Sequence, residues 1–448
     1  SQFYSNTAAG DGGAIRLMSD ADFIGCAFSG NKAGGNGGAI EAFFDTGDPQ
    51  NPYELQLTFD GCSFGGNEAV NGFHGYGGAL HFEAFDARIN DCYFLNNRAK
   101  SGGAMFLTAG TVKLTGGSVS GNISTGGSGV APPADTDLDA ALGGTLDDSG
   151  LQAQANVYYF HRGSFSKESP GVGVDIGGGV VCAATNAAFE SCMFSNNRAE
   201  GLQGTGGALS FYGGYVDHLV KNCMFTDNSA SYQGGAISSG LFASPVITNS
   251  TFAENTAERL GGAIYCDWDS DVTVGDSIFQ KNTNVAVAEI DFGNSIATHS
   301  LFYDNPGGDY AMYDSATKKL HKVAGGELDV TNIEADPLFV DGPLGKVYLS
   351  QVEAGQELTS PAVDAGSGLA ESVLLSDLTT RTDGEGDAGV VDLGFHFPDH
   401  MSLPTFRLTA EVVGGHGSIS PTSGEYYAGT AVPIVATPES GWRIAQWA

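Results

Sequence analysis

Two stretches of this sequence bring together side chains able to do chemistry. In "DGEGD", Asp383, Glu385 and Asp387 alternate with glycines, as carboxylates do in loops that wrap oxygen ligands around calcium. The bidentate glutamate and the spacing of an EF-hand are absent, so these three are candidate ligands of a weak site. Asp135, Asp137 and Asp139 make a second acidic alternation. In "YYFHRGSF", Tyr158, Tyr159 and Phe160 offer ring faces on which a sugar can stack, beside His161 and Arg162 as polar heads. The same cluster serves equally as a hydrophobic anchor for a loop. No P-loop, nucleophile elbow or metalloprotease motif is present, and without a C-x-x-C pair zinc is disfavoured.

Composition narrows the partners. The 448 residues carry 52 acidic and 19 basic side chains, a formal net charge of −33. Repulsion argues against nucleic acid and anionic lipid surfaces. The carboxylate excess suits a secreted protein that meets divalent cations or high salt, although solubility alone explains it too. No apolar run reaches the ~18 residues of a membrane span. The first residues lack a signal-peptide pattern, so a piece of a longer precursor with an upstream targeting signal is expected.

What positions these groups is a repeat. Asn6, Asn31, Asn67, Asn97, Asn122, Asn197, Asn228, Asn255, Asn282 and Asn305 each follow, by three residues, an apolar side chain that is Phe in every copy but Val119. Two residues earlier still lies a small residue, among them Cys26, Cys62, Cys92, Cys192 and Cys223. Downstream comes a glycine pair with an apolar residue two further on, such as Ile40, Leu80 and Ile264; the last two units lose that pair. Apolar positions alternate with period two, which is the pattern of short strands, and units this rich in glycine cannot form an α-solenoid. The expected coil has three short strands and three turns, stacked about 4.8 Å above the last. Phe, Cys and Ile point inward. The asparagine sits at a turn in a left-handed backbone and bonds its amide to the next asparagine.

The spacing of 75 residues between Asn122 and Asn197 contains an insertion over about 126–176, where the repeat fails. Smaller insertions at 43–54 and 70–76 are expected on the same side, forming one decorated face. The slot after the Ile position holds Arg16, Glu41, His81, Phe106, Val181, Ser210, Ser238 and Tyr265, an outward row read as solvated surface or a glycan contact. The cysteine slots, including Cys182 and Cys266 in a second column, are read as buried thiols, with disulfides between stacked neighbours the alternative.

Units of the form "CxFxxNxAxxxGGAI" resemble the right-handed parallel β-helix repeats of bacterial secreted proteins, including the polymorphic outer-membrane protein type. The resemblance covers residues 1 to about 305. "ADPLFVDGPLGKVYLSQ", "TSPAVDAGS" and "DGEGDAGVVDLGFHFP" look like the closing segment of such helices, to about residue 398. "RLTAEVVGGHGSISPTSGEYYAGTAVPIVATPESGWRIAQWA" is similar to the divergent internalin B-type repeat, a small β-rich extracellular module expected to be incomplete after Trp447.

The expected fold is therefore all-β: a right-handed parallel β-helix over 1–305, terminal coils and closing segment over 306–400, and the start of a β-rich module over 405–448. The resemblance implies an extracellular or cell-surface location. The function expected is a structural or adhesive segment, including a filament or stalk subunit with head-to-tail contact between copies. Two alternatives stay open: a polysaccharide lyase or hydrolase, and a glycan-binding module without turnover. Of the segments "NTDG", "GDD" and "GHG" carried by sequences resembling pectin hydrolases, only "GHG" at His416 occurs, in the wrong module. Arg98, Arg198 and Arg259 lie at turn slots where neutralising nearby carboxylates is the simplest role, so no catalytic residue is assigned. Calcium is the one cofactor considered, and glycans or other copies of the chain the partners.

Overall fold

The computed structural model describes residues 1–43, 54–69, 75–126, 177–201, 203–213, 217–240, 242–266, 270–290, 296–314, 319–399, 405–427, 432 and 434–443. Between Gln2 and Glu334 the described residues wind into a solenoid of four sheets with 11, 8, 11 and 9 strands. One coil shows the plan. Ala27–Ser29 joins the Phe sheet, Lys32–Ala33 a short sheet, Ile40–Phe43 the Ile sheet and Leu55–Asp60 a return sheet. Four strands replace the three expected, because two-residue strands are too short to show alternation.

Neighbouring coils pair in parallel and in register, Phe28 with Phe64 and Phe64 with Phe94 in the Phe sheet, Ile40 with Leu80 in the Ile sheet. Inward residues of all coils form one continuous core. Three columns hold it together. The phenylalanine rings stack at centroid distances of 4.6, 4.9 and 4.8 Å from Phe3 to Phe94, and at 4.9, 4.7, 4.8 and 5.0 Å from Phe194 to Phe302. Val119 separates the two stacks.

The asparagines form the second column. Asn67 Nδ2 donates to Asn97 Oδ1 at 2.9 Å and to the Phe28 carbonyl at 3.0 Å, while its backbone N–H also reaches Asn97 Oδ1. The amide contact repeats from Asn6 through to Asn305. The left-handed backbone expected at the asparagine belongs instead to the residue before it, as at Asn96 (φ 54°) and Asp227 (φ 57°). Turning the chain one residue early leaves each asparagine facing inward, where its amide replaces backbone partners lost at the corner.

The small slot is the third column, and smallness is half its purpose. Cys26 N–H donates to Cys62 Sγ at 3.4 Å and Cys62 N–H to Cys92 Sγ at 3.3 Å. Further along, the N–H of Cys223, Ser250 and Ser277 each donates to the serine hydroxyl of the next coil. Cysteine and serine exchange here because each offers a small acceptor. All seven cysteines are buried and none is in a disulfide. Burial pushes the Cys92 thiol up to about 12.

The glycine pair solves a steric problem. Gly77 has φ 67°, and a Cβ on Gly78 would sit 2.0 Å from the Gly103 carbonyl oxygen of the next coil. Asn122 bonds directly to Asn197, so the column is continuous between the coils on either side of residues 127–176. Those residues, with 44–53 and 70–74, lie outside the described residues, and so does the decorated face expected from them.

At the C-terminal end an antiparallel pair, Tyr310–Asp314 with Lys319–Val323, and a helical turn at Gly325–Leu328 place Val323 and Leu328 against the last coil. Residues 336–399 then run back along the outside as a strap, which includes the hairpin Phe339–Gly342 with Gly345–Leu349. In the terminal module, Thr405–Thr409 pairs with Ser423–Tyr427 and Gly417–Ser420 with Val435–Pro438. Among the described residues no helix is long and apolar enough to cross a membrane.

Candidate functional site

The outward face of the Phe sheet changes character along the axis. Its first three outward positions are Gln2, Ala27 and Ser63; later ones are Met193, Met224, Ile278 and Leu301. Ile278 and Leu301 pack with Leu349, Ala362 and Leu393 of the strap, and Met193 and Met224 lie against its Tyr348, Phe395 and Phe397 cluster. Backbone-level ties fix the strap in place. Asn222 Oδ1 accepts the His396 N–H at 2.7 Å and Asn222 Nδ2 donates to the His396 carbonyl at 3.0 Å, while Thr251 Oγ1 accepts the Phe395 N–H at 2.9 Å. Asp276 binds the N–H and hydroxyl of Ser367 at 2.7 and 2.8 Å.

Strap and sheet do not close completely. Between them opens a groove of about 1190 Å³, lined on one side by Tyr93, Met193, Met224, Asp227 and Glu254, and on the other by Leu338, Phe339, Leu344, Lys346 and Glu357. Asp227 and Glu254 stand on consecutive coils at the left-handed corner before the asparagine column. Desolvation first, then the charge of Glu254, raises the Asp227 carboxyl, and Lys346 partly offsets them. The sequence reading missed this groove. Its one signal was the apolar outward side chains of Met193, Met224, Ile278 and Leu301, interrupted at Thr251, which a bare solenoid would not need.

The "DGEGD" carboxylates are engaged within the strap. Asp383 takes two hydrogen bonds from Arg381, at 3.0 and 2.6 Å, which hold its carboxyl below the usual range. Asp387 turns inward, where its Oδ2 lies 2.9 Å from His396 Nε2 and accepts the Asp392 N–H at 2.9 Å. His396 Nδ1 lies 3.0 Å from the Gly394 carbonyl, which can only accept. Burial, then Asp387, raises the neighbouring Asp392 carboxyl. Among the described residues, no group of three or more His, Cys, Asp or Glu side chains is placed to hold a metal ion.

The outward row of the Ile sheet is corrected. Arg16 is exposed, but Glu41, His81, Phe106, Val181, Ser210, Ser238 and Tyr265 are buried. Corner residues fold over them: Tyr76 stacks on Phe106 at 4.6 Å, and Leu260 packs on Tyr265. Within this layer His81 Nδ1 and Glu41 Oε2 are 2.7 Å apart. Arg198 lies 3.7 Å from Glu200, and Arg259 lies over the Tyr232 ring. His416 stacks on Trp442 at 3.7 Å and faces Glu439, inside the terminal module. Tyr158, Tyr159, His161 and Arg162, like Asp135, Asp137 and Asp139, lie outside the described residues.

Comparison with known families agrees with this geometry. A family model for the right handed beta helix region matches residues 165–322, the Chlamydia polymorphic membrane protein repeat matches 1–17 and 25–42, and the divergent InlB B-repeat domain matches 408–448. No curated protein and no solved structure matches the chain. Repeats of the first two kinds are typical of surface or secreted bacterial proteins and point to a surface, adhesin-like protein. The chain therefore carries right-handed parallel β-helix repeats, some matching the polymorphic membrane protein repeat within residues 1–42, and a divergent InlB B-repeat over 408–448.

Proposed function

We propose that this chain is a structural and adhesive segment of a bacterial cell-surface protein: a stiff spacer that carries a strapped face for contact. The observation that supports it most is the unbroken asparagine column from Asn6 to Asn305. Each amide between Asn31 and Asn282 is bonded to the asparagine on both sides, so bending between coils costs a buried hydrogen bond, about 1–3 kcal/mol per site. Nine steps of about 4.8 Å give a rod of roughly 43 Å over these coils.

Immunogold electron microscopy of cells that make the protein tests this proposal, combined with an assay for reducing or unsaturated sugar ends released by the purified chain. Surface label without sugar release is expected. Soluble particles that release sugar ends would overturn it in favour of a polysaccharide lyase or hydrolase.

A further inference from the structure

The groove under the strap has the composition of a peptide site. Its lining holds five carboxylates, Asp227, Glu254, Asp336, Asp341 and Glu357, against two ammonium groups, Lys281 and Lys346. Among the described residues none of the five makes an ion pair with a lysine or arginine. Carboxylates in excess of lysines along a partly apolar channel attract a cation that also brings apolar surface. The apolar part of the lining is mostly flexible and aliphatic, with Met193, Met224, Leu338 and Leu344 prominent. Methionine and leucine adapt to aliphatic side chains, whereas sugars favour rows of aromatic faces, and here Tyr93 and Phe339 stand apart on opposite walls.

Length agrees. The sheet wall spans six successive coils, from Tyr93 to Gln280. At about 4.8 Å per coil that is roughly 24 Å, the reach of about seven residues of extended chain. The channel runs across the strands, so such a segment is read by its side chains and not by adding a strand to the Phe sheet.

We infer that the groove between the strap and the Phe sheet binds an extended peptide segment of alternating cationic and apolar residues, on a partner protein. The inference deepens the adhesive proposal by naming its partner chemistry. It is tested on the purified full chain, so its failure leaves the cell-surface labelling result standing, and the reverse.

The probe is a fluorescein-labelled octapeptide alternating lysine and leucine, followed by anisotropy, with a glutamate–leucine octapeptide and a neutral glucose hexasaccharide as competitors. Because the whole chain is acidic, two double variants separate groove from bulk charge: Asp227→Asn with Glu254→Gln in the groove, and Asp22→Asn with Glu258→Gln away from it. The groove pair should weaken binding about tenfold and the distant pair less than about twofold, and neither competitor should displace the probe. Equal weakening by both pairs, or displacement by either competitor, overturns the inference. Photo-cross-linking with a benzophenone on the octapeptide needs no variant at all. Cross-links at Met193, Met224 or Leu338 support the groove, and cross-links only elsewhere refute it.

Discussion

The two halves of the solenoid share an interior and differ outside. On the N-terminal side of Val119 the Phe sheet stacks Phe3, Phe28, Phe64 and Phe94, and its first outward positions are small or polar. On the C-terminal side the same stack runs from Phe194 to Phe302, and the outward face carries Met193, Met224, Ile278 and Leu301 beneath the strap. Inward residues therefore carry the fold and outward residues carry what differs between coils. The groove beside the strap arises where a second layer is laid over the repeat.

The largest effect should be blind to this difference. Phe64→Ala and Phe252→Ala each remove a fully buried ring from a stack, and each should cost about 4 kcal/mol in denaturant unfolding. Unequal costs would mean that the two interiors are not equivalent. The next effect should depend on the half. Ile278→Asp places a charge under the strap and should cost about 3 kcal/mol, whereas Ser63→Asp on the uncovered face should stay under about 0.5 kcal/mol. A mild Ile278→Asp would remove the strap from the account.

Acid separates the halves by one side chain. The return-sheet slot filled by Leu57 and Ala87 in the N-terminal half holds His218 in the other, packed on Phe211 with neither ring nitrogen bonded. Burial lowers its pKa from 6.5 to about 4. The folded state then binds fewer protons than the unfolded chain between these values, so stability is full above the unfolded value and falls as pH drops through the window. The loss is up to about 3 kcal/mol. Asp392, raised by burial, works the other way: its contribution is present at low pH and lost as pH rises through its folded value. His218→Leu should flatten the acid limb of a melting-temperature profile; an unchanged limb would place the histidine elsewhere. Last comes Lys221, whose Nζ donates to the Val373 carbonyl of the strap at 2.7 Å. Lys221→Met should cost about 1 kcal/mol and speed proteolysis of the strap before that of the coils.

Much of the interior was legible because each coil repeats the same constraint. The Phe, Asn and Gly–Gly columns each solve one problem per turn, and ten copies of a solution make it visible. The acceptor role of the cysteine slot was hidden because size alone explained Cys, Ser and Gly at that position. Residues such as Glu41 and His81 alternate with inward neighbours and so read as surface; what buries them is a corner layer that no period encodes. The strap is aperiodic too. Its carboxylates are visible in the sequence, but neither the Arg381 fork on Asp383 nor the contact of Asp387 with His396, nine residues on, can be read there.

The central claim is that one continuous column joins both halves through the direct contact of Asn122 with Asn197. Hydrogen-exchange mass spectrometry of the full chain tests it most directly. The backbone amides of Asn67, Asn97, Asn122, Asn197 and Asn228, each bonded to the next asparagine, should exchange as one slow class. Fast exchange at Asn122 between slow neighbours would show that the column breaks there, and that the two halves are separate bodies.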